Sequence, residues 1–166
     1  SKNLDMPFDR AGVIASKGKV AEDILKELLS VKFFKEPFPK STGKELFNFD
    51  FIPKALLLKS PKDVLATLTE LTAKSIWLGI KQNNLSPKEI IVCGGGVKNK
   101  FLIERIKNLT SLDVFSSFEY GHNPQAIESM AFAWLGYKRI KNITSTVFSG
   151  NGIFKKSLLG SVTKLK

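Results

Sequence analysis

The sequence predicts a layered α/β domain, and three observations carry that prediction. Glu89 to Cys93 is a short strand with a continuous apolar centre, the pattern of a buried parallel strand. It runs through Gly94-Gly95-Gly96 into a helical pattern with Leu102, Ile103, Ile106 and Leu109 on one side, and then into a second strand at Asp113-Val114-Phe115. Before and after this strand–helix–strand unit, apolar residues recur at helical spacing, which supplies helices to cover the sheet.

Taken in order, Val20, Ile24, Leu25, Leu28 and Leu29 predict a short amphipathic helix between Lys19 and Ser30. Two prolines and a glycine make Phe33 to Gly43 an ordered loop, whose phenylalanines are costly to expose unless they pack on a partner surface. Leu46 to Leu58 continues irregularly. Ser60-Pro61-Lys62-Asp63 then starts a helix: Ser60 can cap it, Pro61 suits the first position, and Asp63 lies near the positive end. That helix runs to about Lys81, and Asn83 to Pro87 breaks it. After the strand–helix–strand unit, Asn123-Pro124 opens another helix by the same logic. From Ala126 to Tyr137 it is nearly all apolar, with Glu128 as its only charge, so burial on most faces is expected. The tail from Asn142, with Gly150-Asn151-Gly152 and Leu158-Leu159-Gly160, reads as a loop ending against the core.

At 166 residues the chain suffices for one well-cored domain. No apolar run approaches the roughly 20 residues that span a bilayer, so no membrane partner is expected. The formal net charge of +11 is spread over scattered lysines without interleaved exposed aromatics. Solvated faces plus attraction for a phosphate-bearing small ligand explain it better than nucleic acid. Cys93 is the only cysteine and His122 the only histidine, which excludes an internal disulfide and any cysteine–histidine zinc cage. At the end of an apolar strand, Cys93 is expected to be buried and inert.

The triple glycine is the main functional signal. Without Cβ atoms, glycines let a ligand approach the backbone closely, and a strand-to-helix turn brings unpaired N–H groups to the crevice at the strand ends. Gly94, Gly95 and Gly96 are therefore candidate nucleotide contacts, with Lys98 and Asn99 beside them. The turn matches neither the Walker A spacing nor the dinucleotide fingerprint, and a bare structural turn remains open at this point. Glu128 is either a charge on a solvent stripe or a carboxylate that accepts hydrogen bonds from sugar hydroxyls. Lys40, Ser41 and Thr42 are a candidate phosphate or sugar loop, and Asp9 with Arg10 a candidate site pair or an ordinary surface pair.

Four segments together resemble one family, the anhydro-N-acetylmuramic acid kinases of bacterial peptidoglycan recycling. They are Phe8-Asp9-Arg10-Ala11-Gly12 with Ala15-Ser16-Lys17-Gly18; Phe33-Phe34 with Pro37 to Glu45; Val92 to Asn99; and Gln125 to Leu135. They occur in the family's order and span nearly the whole chain, whereas the tail departs in detail.

The resemblance implies the ribonuclease H-like layered sheet of the actin-like ATPase and sugar kinase superfamily. Residues 1–166 would be the C-terminal domain or fragment of a two-domain kinase. It implies ATP with Mg2+ as cofactors, and 1,6-anhydro-N-acetylmuramic acid as the substrate whose anhydro ring is opened by water while it is phosphorylated. The product is N-acetylmuramic acid 6-phosphate, formed in the cytoplasm.

On that resemblance Gly94, Gly95 and Gly96 line the nucleotide side, Lys98 and Asn99 lie beside it, and Glu128 faces the sugar. The family's N-terminal phosphate-binding segment and its water-activating aspartate have no counterpart here. No catalytic residue is therefore expected within the chain, which alone should be inactive and should partner the N-terminal domain of the same protein. A homodimer is compatible with the resemblance. The reading to be weighed against it is a non-catalytic nucleotide-binding or regulatory module of the same fold.

Overall fold

The computed structural model describes residues 6–38, 40–148 and 154–163. It is an α/β structure of helices around a parallel strand pair, followed by an antiparallel hairpin. The helices before the first strand are α1 (Glu22–Leu29), the single turns α2 (Lys32–Lys35) and α3 (Lys54–Leu57), and the long α4 (Pro61–Gln82). Strands β1 (Glu89–Val92) and β2 (Asp113–Ser116) are joined by α5 (Lys100–Thr110). They pair in parallel, with Glu89 opposite Asp113 and Val92 opposite Ser116. Helix α6 (Ile127–Ile140) then leads to β3 (Ser145–Phe148) and β4 (Phe154–Ser157), which pair antiparallel.

Helix α4 is the spine. Its start follows the sequence logic closely: Asp63 N–H donates to the Ser60 hydroxyl oxygen (3.4 Å), and that hydroxyl donates back to Asp63 Oδ2 (2.6 Å). The other Asp63 oxygen accepts the backbone N–H of Lys19 at 2.7 Å, so one carboxylate ties the loop before α1 to the start of α4. Thr67, fully buried one turn on, accepts the N–H of Ala21 at 3.0 Å and adds a second tie. Gly18 leaves no room for a side chain there, because a Cβ would collide with the Lys62 carbonyl. The hydrophobic core lies between α1 and this end of the molecule, built from Ile24, Leu25, Leu28, Phe34, Leu56 and Leu71.

On its other side α4 packs along α5. Glu70, only 3% exposed, accepts two hydrogen bonds from Arg105, Nε to Oε2 at 2.6 Å and Nη2 to Oε1 at 3.1 Å. The Glu70 carboxylate holds the guanidinium even more firmly protonated than usual. Lys74 lies 3.9 Å from Glu70 and 3.5 Å from Glu22, which draws α1 into the same cluster.

Several expectations are corrected. The loop expected from Phe33 contains the end of α2, and the irregular stretch before Ser60 contains α3. Asn123-Pro124 does not start α6. The Asn123 side chain instead closes a turn by accepting Gln125 N–H at 3.0 Å, and the helix begins at Ile127 without a side-chain cap. The tail, expected as a loop, forms the β3–β4 hairpin, while Gly150-Asn151-Gly152 lies outside the described residues. Leu158 and Leu159 beyond it are half-buried.

Burial departs further. Helix α6 has no buried residue, and Phe132 (66% exposed), Trp134 (58%) and Ile140 (74%) face solvent, because no described element packs extensively against it. β1 is covered on one face only. Ile90 and Val92 are half-buried, whereas Ile91 and Cys93, pointing the other way, are exposed. The expected burial of the thiol is thus overturned, for lack of a second covering layer among the described residues.

Two predictions follow from these contacts. Arg105→Met leaves the Glu70 carboxylate buried without its main partner and should lower unfolding stability by about 2–4 kcal/mol in urea titrations. Glu70→Leu combined with Arg105→Met should recover most of that loss. The Asp63 carboxyl is held below its usual range, first by Lys19 N–H and then by the Ser60 hydroxyl. Its folded pKa lies below the unfolded value of about 3.9, so its stabilisation is present above that pH and fades as pH falls through the folded value. Melting scans should show the gap between wild type and Asp63→Asn narrowing progressively as pH falls below about 5. A gap that does not change with pH would refute the assignment.

Candidate functional site at the glycine turn

β1 ends at Val92, and Gly94 takes φ +76 and ψ −168, a combination that only glycine adopts without strain. The turn then tightens into a 3-10 segment, Gly95–Lys98, before α5. Asn99 caps α5 by accepting Leu102 N–H at 3.0 Å. Space around the glycines is open. A Cβ at Gly94 or Gly95 would meet nothing within 4 Å, and one at Gly96 only the Leu102 side chain at 4.0 Å.

Two other sequence segments converge on this turn. Gly94 N–H donates to the Pro124 carbonyl at 2.8 Å, so the turn is tied to the chain entering α6. Glu128 lies in the first turn of that helix, where a carboxylate is favoured by the helix dipole, and it is exposed. The segment Asp9 to Gly12 packs against α5 from another direction. Gly12 is buried against the Asn99 and Phe101 side chains so closely that a Cβ there would overlap Asn99.

Asp9 proves to organise its own loop. Its oxygens accept Ile14 N–H and Ala15 N–H, each at 2.9 Å, and hold a bend in which Ala11 (φ +56) and Gly12 (φ +74) are both left-handed. Arg10 beside it is exposed. Asn99 is likewise occupied as a helix cap, while Lys98 is exposed.

Lys40, Ser41 and Thr42 do not line the glycine turn as a loop with a shared role. Lys40 Nζ donates to the Phe33 carbonyl at 2.7 Å, between the Phe33 and Phe38 rings, each 4.9 Å away. Ser41 is exposed, and the Thr42 hydroxyl is 3.5 Å from Glu45 Oε1, which also accepts Gly43 N–H at 2.7 Å. Sequence reasoning missed the Pro124 carbonyl and the fit of Gly12 on Asn99. The Gly12 position was legible only as a glycine within the quoted Asp9 segment.

Among the described residues no three His, Cys, Asp or Glu side chains gather in a way that could hold a metal ion. No described helix is long and apolar enough to cross a membrane.

The fold and the turn define an α/β protein with an open glycine turn at the end of a parallel strand. A family model described as anhydro-N-acetylmuramic acid kinase matches residues 1–165. The chain is 48% identical over 163 residues to the anhydro-N-acetylmuramic acid kinase of Gamma-proteobacterium EBAC31A08, covering 98% of this chain and 44% of that protein. It is 36% identical over 166 residues to the kinase of that name from Pseudomonas syringae pv. syringae (strain B728a), covering 98% and 46%. For the one from Pasteurella multocida (strain Pm70) the identity is 38% over 166 residues, covering 97% and 44%. The chain belongs to the anhydro-N-acetylmuramic acid kinase family. It spans less than half the length of these relatives.

The turn separates strain from access. Gly94→Ala forces an L-residue into a region essentially reserved for glycine and should cost about 1–3 kcal/mol. Gly95→Ala, with open space and no left-handed φ, should stay within about 0.5 kcal/mol of wild type. Equal losses in chemical denaturation would contradict the geometry.

Proposed function

We propose that this chain is the C-terminal domain of a two-domain, cytoplasmic sugar kinase with the ribonuclease H-like layered fold. In this reading it provides one wall of the cleft in which 1,6-anhydro-N-acetylmuramic acid is opened and phosphorylated by ATP during peptidoglycan recycling. The observation that carries the reading is the hydrogen bond from Gly94 N–H to the Pro124 carbonyl. It joins an unobstructed glycine turn to the helix bearing an exposed carboxylate, the pair that a nucleotide and a polyhydroxyl acceptor require of neighbouring walls.

Each residue then has a defined task. Gly95 and Gly96 leave space for the nucleotide's body and offer N–H groups at the start of the 3-10 segment. Glu128 accepts hydrogen bonds from sugar hydroxyls and orients the acceptor. Lys98, exposed at the end of the turn, adds positive charge beside the phosphates. Asp9 and Asn99 act indirectly, holding the loop and the helix that back the turn. Phosphoryl transfer also needs phosphate-positioning donors, divalent-ion ligands and a group that orients water. In this proposal those groups belong to the N-terminal domain, and no step is routed through Mg2+ on this chain. The same domain would cover the apolar face of α6 and the exposed side of β1.

The test is a coupled assay of ATP-dependent phosphorylation of the anhydro sugar by a longer protein carrying this chain. Activity is expected there and not from residues 1–166 alone. Glu128→Gln should lower kcat/KM for the sugar by about 10-fold or more while leaving the melting temperature unchanged. An unchanged rate and KM would sink the role of Glu128. Nucleotide binding without phosphorylation by the longer wild-type protein would favour the non-catalytic module instead.

A further inference from the structure

A concave site lies along α4, away from the glycine turn. Phe33, Phe34, Phe47 and Phe51 pack edge to face or tilted, with ring centroids 5.0–5.8 Å apart. Facing them across a cavity of about 460 Å³ is one stripe of α4 that includes Leu71, Ser75, Gly79 and Gln82. That volume falls in the range of small-molecule sites, and walls of this apolarity with a few polar groups are their usual make-up. None of the lining residues belongs to the glycine turn or to the segment entering α6.

Two features mark the cavity as more than a packing gap. The first is charge. Lys40 is the single charged residue of the lining, is half-buried, and makes no ion pair among the described residues. Its ammonium has three donors. One reaches the Phe33 carbonyl at 2.7 Å and another Gln82 Oε1 at 3.4 Å, while the third finds no acceptor among the described residues. Gln82 is itself fixed by donating to the Phe34 carbonyl at 2.7 Å, so it holds the lysine rather than neutralising it. A partly desolvated cation over two aromatic faces and without a counter-ion favours an anion.

The second feature is Gly79. A glycine inside a helix is less favourable than alanine. Here a Cβ would meet only the tip of the Phe38 ring, at 3.7 Å, an ordinary contact. No backbone conformation requires this glycine; what it provides is depth in the cavity wall.

We propose that this cavity binds a small apolar monocarboxylate, its hydrocarbon or aromatic body between the phenylalanines and the α4 stripe and its carboxylate on Lys40. One cation in the lining matches one negative charge. The apolar walls reject a polyhydroxyl sugar or a polyphosphate, so this ligand class differs from that proposed for the glycine turn, and the inference does not rest on that proposal.

The probes are 4-phenylbutyrate and its neutral isostere 4-phenylbutyramide, titrated into the full chain and followed by ligand-observed NMR and calorimetry. The acid should bind at least about tenfold more tightly than the amide. Lys40→Met should bring the acid down to the amide's affinity without changing the amide's. Gly79→Leu should abolish binding of both, while circular dichroism confirms that each variant is folded. Equal binding of acid and amide to the wild-type chain overturns the proposal even if neither variant folds. So does binding of neither below about 5 mM. Self-association that Gly79→Leu disrupts, with no probe binding, would assign the cavity to a second copy of the chain and overturn it as well.

Discussion

The bidentate pair between Glu70 and Arg105 is the constraint on which the arrangement depends. It lies on the seam between α4 and α5. α4 gathers the helical core, and α5 carries the glycine turn at one end and β2 at the other. A buried carboxylate is tolerable only when its lone pairs are satisfied, and here the guanidinium fork fits both oxygens. Apolar packing alone would let two helices slide or rotate by a fraction of a turn. A fork-on-carboxylate contact does not, because small displacements break one of two hydrogen bonds inside a poorly solvated seam. The position of the glycine turn relative to the core is thereby defined.

Several polar residues that look like ligand contacts in the sequence turn out to hold backbone. Asp9 spends both oxygens on its own loop and Asn99 caps α5, while Lys40 gives one donor to the Phe33 carbonyl and keeps another without an acceptor among the described residues. Their residue types suit ligands and loops equally, since a side chain that can accept an N–H from a nucleotide can accept one from a neighbouring turn. What separates the two uses is whether the group is already engaged. By that criterion Gly95, Gly96, Lys98 and Glu128, open or exposed, remain available to a ligand, whereas Asp9 and Asn99 act through the shape they impose.

Local structure was legible wherever its determinants are local. Ser60, Pro61 and Asp63 announce α4 and then perform the capping expected of them. The parallel β1–α5–β2 unit follows from its apolar runs and the glycine break, and lies within a residue or two of its expected bounds. Asn123-Pro124 failed for an instructive reason. Asn123 made an equally good local bond to Gln125 N–H, and the Pro124 carbonyl was drawn to Gly94, a partner thirty residues away that no local pattern encodes. The β3–β4 hairpin was missed because its strands, Ser145–Phe148 and Phe154–Ser157, carry little hydrophobic alternation.

Burial was the least legible property, and its failures are all in one direction. α6, Ile91 and Cys93 carry apolar surroundings in sequence and solvent in the structure. A helix apolar on every side is stable only when covered on most of them, and a parallel strand pair normally has two covered faces. These patterns therefore specify an environment that the described residues do not supply. The relatives of this chain are more than twice its length. On the proposed two-domain reading, the mismatch between pattern and exposure is itself informative. Residues whose sequence demands a cover outline where the other half of a cleft would close, and they lie on β1, which runs into the glycine turn, and on α6, which is tied to it through the Pro124 carbonyl.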